Sequence, residues 1–161
     1  MTPKLALPDA LDSRWAQHGN RAAIREGDRE TSYRELLRRS QNLSRAIEPL
    51  LGEPGQRVAM VLPNSGSFVA AFFAIARLGG VAAPLSTHYR SQELAYYLDD
   101  LDAAAVLADP VSVEQVLAVI PRLKRAPALV EVSVEGEPRP VRPGQSGART
   151  NLLPIQLDGL G

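Results

Sequence analysis

A serine- and glycine-containing turn, two histidines and three aspartates are the features of this chain whose residue types and spacing could do chemistry. The turn, Pro63-Asn64-Ser65-Gly66-Ser67, joins the apolar run Arg57–Leu62 to an apolar stretch beginning at Gly66. Strand, short turn and helix in that order gather free N–H groups and the positive end of a helix dipole, an arrangement that can cradle a phosphate. The turn lacks the second glycine and the Lys-Ser/Thr pair of a P-loop. It also lacks the glycines two places either side of a serine that make a nucleophile elbow. Asn64 or Ser65 capping the helix, with Gly66 allowing close approach, accounts for the same residues without a ligand.

His18 and His88 stand far apart in sequence, and neither lies in an HxxxH or HExxH frame that would present two imidazoles to one metal. His88, with Thr87, Tyr89 and Arg90, follows an expected parallel strand, at the end of such a sheet where ligands bind. It is the best candidate for a polar contact, and a solvated loop histidine fits it too. Asp99, Asp100 and Asp102 are interrupted by Leu101 and lack the spacing of a calcium loop, so they read as the exit from a helix. Gly79-Gly80 has no third glycine at dinucleotide-binding spacing and reads as a helix stop. With no cysteine in the chain, disulfides and thiolate chemistry are excluded. No residue is assigned a catalytic, cofactor-binding or metal-binding role.

The elements that would position these residues follow from periodicity. Pro8–Gln17 predicts a short helix with Leu11 and Trp15 near one face and Gly19 to end it. Arg21–Arg25 and Arg29–Thr31 flank Glu26-Gly27-Asp28 as a β-hairpin. Ser32-Tyr33-Arg34-Glu35 matches a capping box, and Leu36, Leu37, Leu43, Ile47, Leu50 and Leu51 continue a long amphipathic helix to Gly52. From there strands and helices alternate: strands at Arg57–Leu62, Val81–Leu85, Ala103–Ala108 and Ala128–Val134, helices at Gly66–Leu78, Gln92–Leu101 and Ser112–Lys124. Ser91 and the Ser112-Val113-Glu114-Gln115 box are the start signals of the last two helices. Strict alternation predicts an α/β, Rossmann-like, doubly wound and mainly parallel sheet with helices on both faces, preceded by the short helix and hairpin. The helix from Gly66 carries Phe68, Phe72, Phe73 and Ile75 among alanines, so it is expected to be covered by more than the sheet.

Gly136–Thr150, GEPRPVRPGQSGART, reads as a linker or long loop, and Asn151–Leu157, NLLPIQL, as the start of a further element. The domain division is therefore 1–134, 135–150 and 151–161. Lys plus Arg and Asp plus Glu number 18 each, so no net field recruits nucleic acid or an anionic surface. The N-terminus lacks a signal-peptide pattern, and the apolar run Phe68–Ile75 is too short for a membrane span, so a cytoplasmic protein without a transmembrane segment is expected.

Three stretches in order resemble one family. TSYRELLRRSQNLSR (Thr31–Arg45) resembles the "T-Y-x-E-L" helix of adenylate-forming enzymes, the superfamily of acyl-CoA synthetases, adenylation domains and luciferases. Arg57–Pro84 is similar to its strand, "P-N-S" turn, "F-x-A-x-F-A-x-x-x-x-G-G" helix and "V-x-x-P-L" strand. SQELAYYLDDLDAAAVLAD (Ser91–Asp109) resembles its "E-L-x-Y-x-L-x-D" helix and following strand. The match runs over residues 8 to 134. It implies a parent enzyme that uses ATP and magnesium to convert a carboxylic acid to an acyl-adenylate, then transfers the acyl group to a thiol such as coenzyme A, as in fatty acid metabolism. The family's phosphate loop ending in Pro-Lys-Gly, its ribose-binding Asp and its catalytic Lys have no counterpart among these 161 residues. Where the family often has Asn-Pro after the "P-L" strand, this chain has Ser86-Thr87-His88-Tyr89, so no family contact carries over to His88.

The expectation is thus an N-terminal scaffold fragment, inactive alone, with no cofactor bound in this chain. Its partner would be the remainder of the parent enzyme or a complementary subunit, and an apolar face left open would favour self-association. A stand-alone module that binds a complementary half-enzyme or a carrier protein is the alternative. A polar substitution on the helix from Gly66 would favour that alternative, and Phe68, Phe72, Phe73 and Ile75 show none.

Overall fold

The computed structural model describes residues 7–133 and 138–141. Helix α1 (Leu7–His18) leads into the hairpin of β1 (Ala22–Glu26) and β2 (Arg29–Ser32), closed by Gly27-Asp28. Helix α2 (Tyr33–Leu51) starts where Ser32 Oγ accepts from Glu35 N–H at 3.2 Å, as the capping signal requires. The Glu35 carboxylate turns to Arg38 and Arg39, whose nitrogens lie 2.7–2.9 Å away. The hydrogen bond from Arg38, reinforced by Arg39, overcomes partial burial and holds the Glu35 pKa down to about 2.

The larger sheet takes the order β4-β3-β5-β6-β7. Strands β3 (Arg57–Val61), β4 (Val81–Pro84), β5 (Ala105–Ala108) and β6 (Ala128–Glu131) are parallel, and β7 (Arg139–Val141) is antiparallel to β6. The chain moves from β3 outward to β4 through α3 (Gly66–Arg77), then crosses to β5 through α4 (Ser91–Leu101). Helix α5 (Ser112–Val119) and a 3-10 turn, Ile120–Arg122, lead on to β6. The mixed α/β, mainly parallel architecture is the one expected from the alternation of periods. Strand β7 was not: it lies inside the stretch read as a linker. Val134, and residues 142–161 with Asn151–Leu157, fall outside the described residues.

The two faces of the sheet carry separate cores. On one, Leu43, Ile47, Ala71, Ala74 and Ile75 of α2 and α3 bury Val58, Met60, Leu107 and Val130. On the other, Leu94, Leu98, Val113 and Val116 of α4 and α5 bury Ala59, Val61, Val106 and Leu129. Alternate strand residues thus supply alternate faces. A third cluster, Trp15, Leu36 and Ala70, lies where α1, α2 and α3 meet, with Phe73 packed against it.

This cluster agrees with the expectation that more than the sheet covers the helix from Gly66, and shows that the cover comes from within the chain. The apolar helix α3 does not present an open face: Phe73 meets Trp15 edge-on at 5.7 Å, and Phe72 packs against Phe73. The Arg77 guanidinium, at the end of α3, pairs with Asp12 through both terminal nitrogens, donates to Ser40 Oγ and lies 5.8 Å from the Trp15 ring centroid. The chain's own first two helices cover α3, so its lack of polar residues no longer favours a fragment over a stand-alone module.

Helix α3 stops in a Schellman turn, with Gly79 N–H donating to Ala76 C=O and Gly80 N–H to Ile75 C=O. Gly79 has φ +67°, and a Cβ on Gly80 would come within 2.9 Å of Ile75 Cγ2. Both glycines are structural, as their spacing suggested.

Candidate functional site

Ligands of open α/β sheets bind beyond the C-terminal ends of the parallel strands, where the loops diverge. Helices α3, α4 and α5 all begin there in this chain. At α3, Ser65 Oγ accepts from Phe68 N–H at 3.2 Å, and the Glu26 carboxylate of the hairpin accepts from Gly66 N–H at 3.1 Å. A Cβ at position 66 would meet that same Glu26 oxygen at 3.2 Å, so the glycine makes room for an internal anion. Ser65 is the cap that the sequence offered. Glu26 was not recognised, because it lies 40 residues away and only the hairpin brings it in.

The other two starts differ from expectation. Arg90, not Ser91, precedes the first turn of α4, and its N–H donates to the Glu93 carboxylate at 2.9 Å. At α5, Asp109 Oδ1 accepts from Ser112 N–H at 3.0 Å, so Asp109 is the cap and Ser112 sits buried inside the turn. Strand β5 ends at Ala108, where the sequence pattern placed its end, and the carboxylate of the next residue, three before Ser112, has the better geometry.

Each helix start at this end of the sheet therefore holds a carboxylate from the chain itself: Glu26, Glu93 and Asp109. An anion placed at any of them would displace a hydrogen bond and face a like charge. The described residues accordingly do not fit the phosphates of ATP. Nor, among the described residues, do three or more His, Asp or Glu side chains converge as a metal site would need. Ser67 Oγ is buried without a hydrogen-bond partner, but it lies beside the turn that Glu26 already occupies.

The remaining candidates are placed as loop and capping residues. His88 is exposed, its N–H donating to Ser86 Oγ at 3.1 Å and its Nδ1 lying 3.4 Å from Thr87 Oγ1. Its neighbour Tyr89 stacks on Tyr97 at 4.8 Å and accepts a backbone hydrogen bond from the Gln115 side chain. Local burial, and then the nearby Tyr97, push the Tyr89 phenol pKa up. His18 stands 5.5 Å from Tyr33, lining a shallow pocket of about 280 Å³ with Arg21 and Ala22. The structure does not bring the two histidines into one site. Asp99 Oδ1 accepts from Lys124 N–H at 2.9 Å, while Asp102 ends α4 in the left-handed region at φ +45° and faces Arg125 at 3.6 Å. These aspartates tie the end of α4 to the approach to β6.

Comparison with known proteins explains the fold. The AMP-binding enzyme family matches residues 11–151. A 2,3-dihydroxybenzoate-AMP ligase from Bacillus subtilis is 34% identical over 124 residues, covering 72% of this chain and 23% of the relative. The mitochondrial malonate–CoA ligase of Homo sapiens is 33% identical over 141 residues, covering 81% of this chain and 24% of the relative. Among solved structures, an anthranilate CoA ligase in complex with anthranoyl-AMP superposes with a TM-score of 0.72 at 22% identity, over 80% of this chain and 25% of that one. A benzoate CoA ligase from Burkholderia xenovorans gives 0.71 at 20% identity, over 79% and 26%. At such identity the structures bear on the fold alone. The chain spans about a quarter of the length of these relatives, and the match lies in their N-terminal part. The family match over residues 11–151, on a mainly parallel α/β fold shared with solved ligases, identifies this chain as a member of the AMP-binding enzyme family.

Proposed function

We propose that this chain is the N-terminal scaffold of an AMP-forming acid–thiol ligase. The whole enzyme would activate a carboxylic acid with ATP and magnesium to an acyl-adenylate, releasing pyrophosphate, and pass the acyl group to a thiol such as coenzyme A or a carrier. The single observation that carries this reading is the family match across residues 11–151. Adenylation depends on charge preorganised around phosphates and metal. The three helix starts that would be the natural phosphate cradles here are filled by Glu26, Glu93 and Asp109. The chain's contribution is therefore positional: a rigid sheet and its two helical layers, against which the remainder of the enzyme is the partner. The acid class stays open across fatty, aryl and dicarboxylic acids, since the relatives carry names as different as dihydroxybenzoate and malonate. A cytoplasmic setting goes with this reading, and the cysteine-free sequence accords with a reducing compartment.

The covering of α3 by α1 and α2 favours a second reading, a self-contained module that pairs with a complementary half-enzyme. One experiment separates the two. ATP–pyrophosphate exchange is measured with a panel of the three acid classes, for the 161-residue chain and for the product of its reading frame continued past Gly161. The scaffold reading expects no exchange above background from the chain alone and acid-dependent exchange from the longer product. Robust exchange from the chain alone overturns it, and a stop codon directly after Gly161 supports the module.

A further inference from the structure

Proline occurs in both edge strands of the five-stranded sheet, in VAAP of β4 and RPV of β7, and in none of the three interior strands, RVAMV, AVLA and ALVE. The hydrogen bonds fix which way each one faces. Val81 N–H donates to Gln56 C=O at 2.8 Å and Leu85 N–H to Met60 C=O at 2.9 Å. Residues 81, 83 and 85 therefore turn their backbone groups toward β3, and Ala82 and Pro84 turn theirs outward. At the other edge, Ala128 N–H donates to Ala104 C=O and Val132 N–H to Ala108 C=O, which commits residues 128, 130 and 132 to β5. Leu129 and Glu131 then face β7, opposite Val141 and Arg139. Pro140 stands opposite Val130 between those pairs, so its backbone points away from the sheet. Pro138, just ahead of the strand, has the same parity two residues back.

Each proline thus falls where a strand would otherwise offer its outward N–H. On the β7 edge neither position 138 nor position 140 has a donor. On the β4 edge Pro84 has none, leaving Ala82 as the outward donor of the strand. Val81, half exposed at 50%, would otherwise make this edge a sticky one. An edge with free donors and apolar side chains is a template for a strand of another molecule, and proline, alone in lacking a backbone N–H, removes the donor where an edge strand can carry it.

We propose that Pro84, Pro138 and Pro140 close both edges of the sheet to strand addition by a second copy of this chain.

The test restores the donors in the 161-residue chain with Pro84→Thr, and separately with Pro138→Thr and Pro140→Thr together. Sedimentation velocity over a concentration series, far-UV circular dichroism and amide hydrogen exchange are compared with the parent chain. The expected result is association of each folded variant, with about a doubling of mass for one opened edge. Slowed exchange should accompany it at positions 82 and 84 in the first variant, or 138 and 140 in the second. Parent-like mass and exchange in the folded variants overturn the proposal, and so does association that leaves those amides unprotected. Concentration-dependent protection of the Ala82 amide in the parent chain overturns it as well. If Pro84→Thr does not fold, the β7 variant, which shares no residue with β4, decides the matter alone.

Discussion

The two faces of the sheet are covered to different depths. Against one face lie α2 and α3, and beyond them α1 buries its own Trp15 against both, leaving it only 2% exposed. Against the other, among the described residues, lie α4, α5 and the 3-10 turn, and Tyr96, Tyr97 and Val111 remain exposed on that side. The sequences follow the depth. Helix α3 is apolar nearly all round because it is packed on the sheet and again on α1 and α2. Helix α4 keeps Leu94 and Leu98 on its sheet side and turns Gln92, Glu93, Tyr96 and Asp100 outward. An all-apolar helix is therefore a sign of two packing partners, and here both come from the same chain.

If the deep face is the stable one, Trp15→Ala gives the largest loss, about 3–5 kcal/mol for removing a buried indole. Urea unfolding checks this, and a loss below about 1 kcal/mol would mean that α1 is not part of the cooperative unit. Gly80→Ala should cost about 1–3 kcal/mol, because the new methyl group meets Ile75 Cγ2 at 2.9 Å and the Gln56 and Ile75 carbonyls at 3.3 Å. A fall in thermal midpoint is the readout, and an unchanged midpoint would show that the turn after α3 can shift freely. Glu26→Ala should cost about 1 kcal/mol by stripping a charged acceptor from the start of α3. Faster exchange of the Gly66 amide would accompany it. On the shallow face, Tyr96→Ser should change stability by less than about 0.5 kcal/mol, since that ring is 65% exposed. A larger loss there would erase the contrast between the faces.

Much of this architecture was legible because its signals are local. The hairpin around Gly27-Asp28, the Ser32 cap, the Ser65 cap and the Gly79-Gly80 stop each depend on residues within a few positions of one another. What escaped the reading depends on residues that folding brings together. Glu26 reaches Gly66 across 40 residues, and Trp15 reaches Phe73 only once α1 has docked on α3. The caps of α4 and α5 were misassigned to Ser91 and Ser112, because serine is the stronger local signal while the path of the chain places Glu93 and Asp109 at the free N–H groups. Strand β7 was hidden by its own prolines, which look like a linker until the sheet shows that an edge strand can carry them facing outward. The candidate site was legible mainly as an exclusion. The turn at Asn64–Ser67 lacked phosphate-loop residues, and the structure adds that the Glu26 carboxylate accepts from the Gly66 N–H there.

The central claim is that this chain is scaffold whose helix starts are sealed by its own carboxylates. Its most direct test is a titration of magnesium-ATP into the 161-residue chain, followed by the backbone amide resonances of Gly66, Arg90 and Ser112. The account predicts no saturable shift at any of the three. A saturable shift at any of them would contradict it.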